Sequence, residues 1–124
     1  MRYACLLYLD AMELEASTDA ERARLRGESD ACETDLRRSG HLVAAEALES
    51  VGAATTVRVR DGRSLAVDGP AIEGPEQLTR VLVIEARDLN EAMRLAAKHP
   101  FGRFGSIEIR PVRSDRGNAG ADAG

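Results

Sequence analysis

"RYACLLYL", residues 2–9, decides the fold. Written as a strand, it puts Tyr3, Cys5, Leu7 and Leu9 on one face and Ala4, Leu6 and Tyr8 on the other, because successive side chains alternate. A strand apolar on both faces is a central strand, covered on both sides. "RVLVIEA", residues 80–86, repeats the pattern: Val81 and Val83 oppose Leu82 and Ile84. The remaining candidate strands are "HLVAAEAL", "TTVRVR", "SLAVD" and "SIEIRPV". In "TTVRVR", Val57 and Val59 alternate with Arg58 and Arg60, and Asp61-Gly62 behind them signals a hairpin. The last strand has one polar face.

Two helices are predicted between these strands. Thr18 and Glu21 spell a capping box, in which each residue satisfies a backbone N–H of the other. Leu25, Cys32 and Leu36 then share one helical face, Gly27 weakens the helix, and Gly40 stands where a helix ends. Asp88 with Glu91 caps the second helix, "LNEAMRLAAKH", whose apolar face reads as Leu89, Ala92, Met93 and Ala96. Pro100 stops it, placing His99 at its C-terminal end.

The order is β, α, β, hairpin, β, α, β, with the two-faced strands directly before the helices. That predicts an α+β domain over residues 1–112, a ferredoxin-like antiparallel sheet with two helices on one face. Residues 113–124, "RSDRGNAGADAG" with Val112 just before them, are predicted to form a disordered polar tail. Two helices leave the second sheet face bare. An apolar patch of that kind predicts a homodimer that pairs the two bare faces.

Composition sets further bounds. The chain has 124 residues, enough for one domain and one core. Aromatic residues make up 3%, so the core rests on Leu, Val, Ile and Ala. The net charge of −4 argues against nucleic acid, whose phosphates need a basic face. No apolar run reaches the roughly 20 residues of a membrane span, and residues 1–10 are too short for a signal segment. A cytoplasmic location is the expectation. Cys5 and Cys32 lack metal-ligand spacing and read as thiols in the fold, and no metal or cofactor is expected. Glu33 and Asp35 read as surface carboxylates, and His41 as an edge or solvent-facing residue.

Between two strands lies "VDGPAIEGPEQL", residues 67–78. Asp, Gly and Pro are turn formers, so the plain reading is a turn. A rigid strand end also aims side chains into clefts, so Asp68 is a candidate general base. His99 is a candidate acid, if the fold brings it to Asp68. Arg58 and Arg60 are candidate anion ligands, and Gly69 and Pro70 would shape the rim.

This loop, taken with "ATTVRVRDG", "LRRSG", "LVAAEAL", "VLVIEARDLNEAMRLAAKHP" and "GSIEIRPV", resembles the DGPF branch of the YCII-related proteins from about Met1 to Val112. Asp68, Gly69, Pro70, Glu73, Glu76, Gln77 and Leu78 match the loop pattern. Ala71 stands where the pattern has Phe, Gly74-Pro75 where it has Thr-Lys, and Thr79-Arg80 where it has Gly-Gly. The first helix lacks the histidine that the YCII branch pairs with an aspartate. The resemblance implies a ferredoxin-like subunit of a dimeric α/β barrel. Its relatives include lyase-like and dehalogenase-like enzymes and companions of sigma factors. Two functions follow: a domain that binds a small ligand or a regulatory partner at the dimer cleft, or an acid–base enzyme of lyase or isomerase type using Asp68 with a histidine. The missing histidine and Ala71 favour the first.

Overall fold

From Tyr3 onward the residues of β1 (Arg2–Asp10) alternate between fully buried and half-buried in a computed structural model, which describes residues 1–114. Then follow α1 (Ala11–Ala16), α2 (Asp19–Arg38), β2 (Leu42–Ala47), a 3-10 turn (Val51–Ala53), β3 (Thr55–Arg60) and β4 (Arg63–Asp68). The chain continues through β5 (Glu76–Glu85), α3 (Leu89–Ala96), α4 (Phe101–Phe104) and β6 (Gly105–Pro111). Four strands form an antiparallel sheet in the order β2-β5-β1-β6, and β3 and β4 pair separately. The two strands that are apolar on both faces are thus the central two, as the sequence predicted. The class is α+β, but with four helices rather than two. The tail expected over 113–124 falls almost entirely outside the described residues.

The two short helices have local causes. The Asp10 carboxylate accepts from the N–H groups of Met12 and Glu13, both at 3.0 Å, and so starts α1 directly at the strand end. Pro100 does not merely stop α3. It opens α4, with φ near the value proline imposes. The predicted caps hold: Thr18 and Glu21 exchange bonds of 3.0 and 2.8 Å, and Asp88 accepts from Glu91 N–H at 2.9 Å. Gly40, at φ 81°, ends α2 in a Schellman motif, with bonds from His41 N–H to Leu36 O and from Gly40 N–H to Arg37 O.

The core lies on one face of the sheet. Tyr3, Cys5, Leu7, Leu82 and Ile84 meet Leu36 of α2 and Ala92, Leu95 and Ala96 of α3. Burying a residue such as Leu7 or Ile84 completely contributes about 2 kcal/mol. The stripe of α3 differs from the sequence reading: Leu89 and Met93 are exposed, and Glu91 and Leu95 are buried with Ala92 and Ala96. The helix crosses the sheet rotated toward its small residues, which allow closer approach. On the opposite face Ala4, Leu6, Tyr8, Val81 and Val83 are half-buried, flanked by Glu46 on β2 and Glu108 on β6. The β3–β4 hairpin does not cover them: of its strand residues only Thr56 is other than exposed, and Val57, Val59, Leu65 and Val67 all face solvent. Its turn residues Asp61 and Gly62 both take positive φ, 53° and 76°, as a tight hairpin twist requires.

Candidate functional site

Two places concentrate polar groups or open space around the residues the sequence singled out. The first is buried. His99 does not sit at the solvent end of a helix; α3 ends at Ala96, and the following turn carries the imidazole inward to 2% exposure. Its Nδ1 accepts from Phe101 N–H at 3.3 Å. That leaves Nε2 as the protonated nitrogen, which donates to Glu33 Oε2 at 2.9 Å. Arg80 of β5 closes the cluster, with Nε and Nη2 donating to the two oxygens of Glu33 at 2.5 Å each. The fork matches the carboxylate geometry of a bidentate pair. One turn earlier on α2, the buried Ser29 hydroxyl has no hydrogen-bond partner among the described residues.

Glu33 is therefore no surface carboxylate; its side chain is 6% exposed. Burial by itself pushes its carboxyl up, but the hydrogen bonds from His99 and Arg80 outweigh that and hold it below its ordinary value. The same pairing pushes Arg80 up. An ionised Glu33 between a guanidinium and an imidazole N–H is chemically satisfied. Its oxygens and the imidazole nitrogens are all engaged and shut away from solvent, which suits a lock between α2, β5 and the α3–α4 turn. Thr79, beside Arg80, also ties the sheet: its Oγ1 donates to Leu7 O at 3.0 Å, where the β1–β5 register shifts. Thr79 and Arg80 are the pair that stands where the resembled pattern has two glycines. The sequence signal for the cluster was the placement of Glu33 near Cys32 and Leu36, on the inward side of α2.

The second place is the loop after β4. Asp68 pairs in register with Thr55 and is exposed, and no hydrogen bond reaches its carboxylate among the described residues. The carboxylate that meets His99 is Glu33, not Asp68. Gly69, at φ 109°, donates its N–H to Ala54 O at 2.8 Å and accepts from Thr56 Oγ1 at 2.7 Å. Arg58 reaches this loop, with Nη2 3.5 Å from Ala71 O, while Arg60 turns back to Val59 O. Gln77 pins the far side by donating to Ile72 O and Gly74 O at 3.2 and 2.9 Å. Behind the loop, Pro70, Gln77 and Leu78 face Leu48, Val51 and Ala54 across a cavity of about 330 Å3. Pro70 is on its lining; Asp68, Arg58 and Arg60 are not. Leu78 pairs with Tyr8, so this cavity borders the uncovered sheet face. His41, the other histidine, is half-buried and holds Nδ1 2.8 Å from Glu85 O.

Among the described residues no group of three or more His, Cys, Asp or Glu side chains is placed to hold a metal ion. No helix among them is long and apolar enough to cross a membrane.

A family model described as the YCII-related domain matches residues 1–115. The chain is also similar to an uncharacterised protein of Rhizobium meliloti (strain 1021), 31% identical over 114 residues that cover 90% of this chain and 92% of that one. With the match spanning every described strand and helix, the chain belongs to the YCII-related domain family.

Proposed function

We propose that this protein is a non-catalytic, DGPF-type member of its family that works as a homodimer and binds a small, mainly apolar ligand beside the dimer cleft. In this reading the subunit is a ferredoxin-like half of a dimeric α/β barrel, joined through Leu6, Tyr8, Val81 and Val83. One observation carries it: the cavity of about 330 Å3 opens between the Asp-Gly-Pro loop, the 3-10 turn and Leu78, at the border of the uncovered face. A volume of that order suits a small molecule, and an apolar lining with few polar groups suits a site that selects by shape. Ser50 contributes a hydroxyl, and its side chain makes no capping bond to the 3-10 turn. An acid–base mechanism has less support. His99 is buried with both nitrogens engaged, and Asp68 stands apart from it in solvent.

The test is a titration of the full chain with indole as an apolar probe, followed by amide NMR shifts. Shifts confined to residues 48–54, 70, 77 and 78, lost in Leu78→Trp, are the expected result. A dimeric, folded chain that shows no shift there overturns the ligand-binding reading.

A further inference from the structure

A second and larger cavity lies at the end of β1, beside α1 and α2. It measures about 400 Å3, is half open to solvent, and is lined by α1, the first half of α2, the end of β1 and α4. The sequence explains why it exists. From Asp19 to Glu28, α2 offers the sheet only one large apolar side chain, Leu25; the rest are Ala, Gly, Arg and acids. Helix burial begins at Ser29, so the N-terminal half of α2 is held off the sheet rather than packed onto it. Leu9, Leu14, Leu25 and Phe104 are left facing a space that none of them fills. Phe104 is 54% exposed, an unusual position for an aromatic in a chain with so few.

The rim is charged, and unevenly. Asp10, Glu13, Glu21 and Glu28 line it against only Arg22 and Arg24, four carboxylates to two guanidiniums. Arg22 is already committed: its Nη1 donates to Leu14 O at 3.2 Å and to Ser17 O at 2.5 Å, and its Nη2 pairs with Asp19. The backbone and side-chain hydrogen bonds of Thr18 hold the Glu21 carboxyl below its ordinary value, and Arg24 adds a smaller charge effect in the same direction. Glu28 pairs with Arg103. Asp10 caps α1 but meets no cation, and Glu13 has no ion-pair partner among the described residues. The surplus is negative charge beside an apolar floor. The Phe104 ring already carries the Arg103 guanidinium 5.6 Å from its centroid, so it offers the cavity apolar surface rather than a free cation site.

We propose that this cavity binds a small amphipathic cation, an aryl or branched-alkyl body carrying a primary ammonium group. The body lies on Leu9, Leu14, Leu25 and Phe104, and the ammonium points to the Asp10–Glu13 side of the rim. The site shares no lining residue with the cavity behind the Asp-Gly-Pro loop, so it stands or falls separately from the function proposed above.

The experiment is an amide NMR titration of the full chain with phenethylamine and, in parallel, with 3-phenylpropionate, which has a similar body and the opposite charge. The amine is expected to shift residues 10–17, 22–28 and 104, and to bind at least about tenfold more tightly than the acid. Leu25→Trp, which fills the cavity, should abolish the shifts while the far-UV circular dichroism stays unchanged. Glu13→Gln, at an exposed position outside the core, should weaken the amine roughly fivefold and leave Tm unaltered. Equal or tighter binding of the acid, amine shifts at residues 48–54 instead, or undiminished binding to folded Leu25→Trp would each overturn the proposal.

Discussion

His99 Nε2 lies 2.9 Å from Glu33 Oε2, joining two buried side chains from segments 66 residues apart. Arg80 holds the same carboxylate from the sheet. Neither histidine nor arginine would be tolerated there without the glutamate, because a buried cation or unpaired N–H costs several times what an exposed pair contributes.

Glu33→Gln tests this lock. It keeps an acceptor for His99 but leaves the Arg80 guanidinium without its counter-charge, so a loss of about 3 kcal/mol is expected in urea unfolding. The pH dependence follows from the lowered carboxyl. Its contribution to stability is present above the ordinary value of 4.5 and is lost as pH falls through the lower folded value. Acid unfolding of the wild type should therefore steepen below pH 4.5, and the variant should lack that component. Identical acid profiles would show that Glu33 is not ionised in the fold.

Gly105 begins β6 where it crosses β1. A Cβ on it would lie 1.9 Å from Tyr8 O, far inside any non-bonded contact distance. The strand must move away from Leu9, its register partner, to make room. Gly105→Ala should cost about 2 kcal/mol or more, read as a lowered urea midpoint. Gly27→Ala is the control: its Cβ meets nothing within 4 Å, and the helix should gain up to about 1 kcal/mol.

Val83 and Ile84 are neighbours on opposite faces of β5, one half-buried and one 1% exposed. Ile84→Asp should unfold the subunit, because it places a charge in the core. Val83→Asp should leave the subunit folded and break its pairing. The wild type is expected to sediment at about twice its 13.4 kDa chain mass, and Val83→Asp near 13.4 kDa or as aggregate. A wild type at 13.4 kDa at micromolar concentration would refute the homodimer.

Burial pushes the Cys5 thiol up to about 11. At pH 8 almost none of it is thiolate, and at 1% exposure it is also out of reach. A disulfide reagent should leave Cys5 unmodified until the chain unfolds. Because the folded value is the higher one, the stability it contributes is complete below 9.0 and falls as pH rises from there toward 11. Fast native labelling of Cys5 at pH 8 would contradict its placement.

The sequence by itself determined the elements whose causes are local. Alternation along residues 2–9 and 80–86 made β1 and β5 the central strands. Asp61-Gly62 closed the hairpin, and Thr18, Asp88 and Gly40 bounded the long helices, because caps and turns are satisfied by backbone groups within a few residues. Even there it under-read α1 and α4, whose starts depend on one aspartate and one proline. Alternation also showed that Val83 and Ile84 oppose each other, but not which of them meets the helices. Only the tertiary structure decided that, because two apolar faces look alike until α2 and α3 choose one. It likewise decided that His99 meets Glu33 rather than Asp68. Glu33, Arg80 and His99 lie far apart in the chain, and the place of Glu33 beside Cys32 and Leu36 marks the inward side of α2 without naming its partners. Its partners come from a strand and a turn that reach it only when the sheet and helices pack, and burial then makes the pairing obligatory.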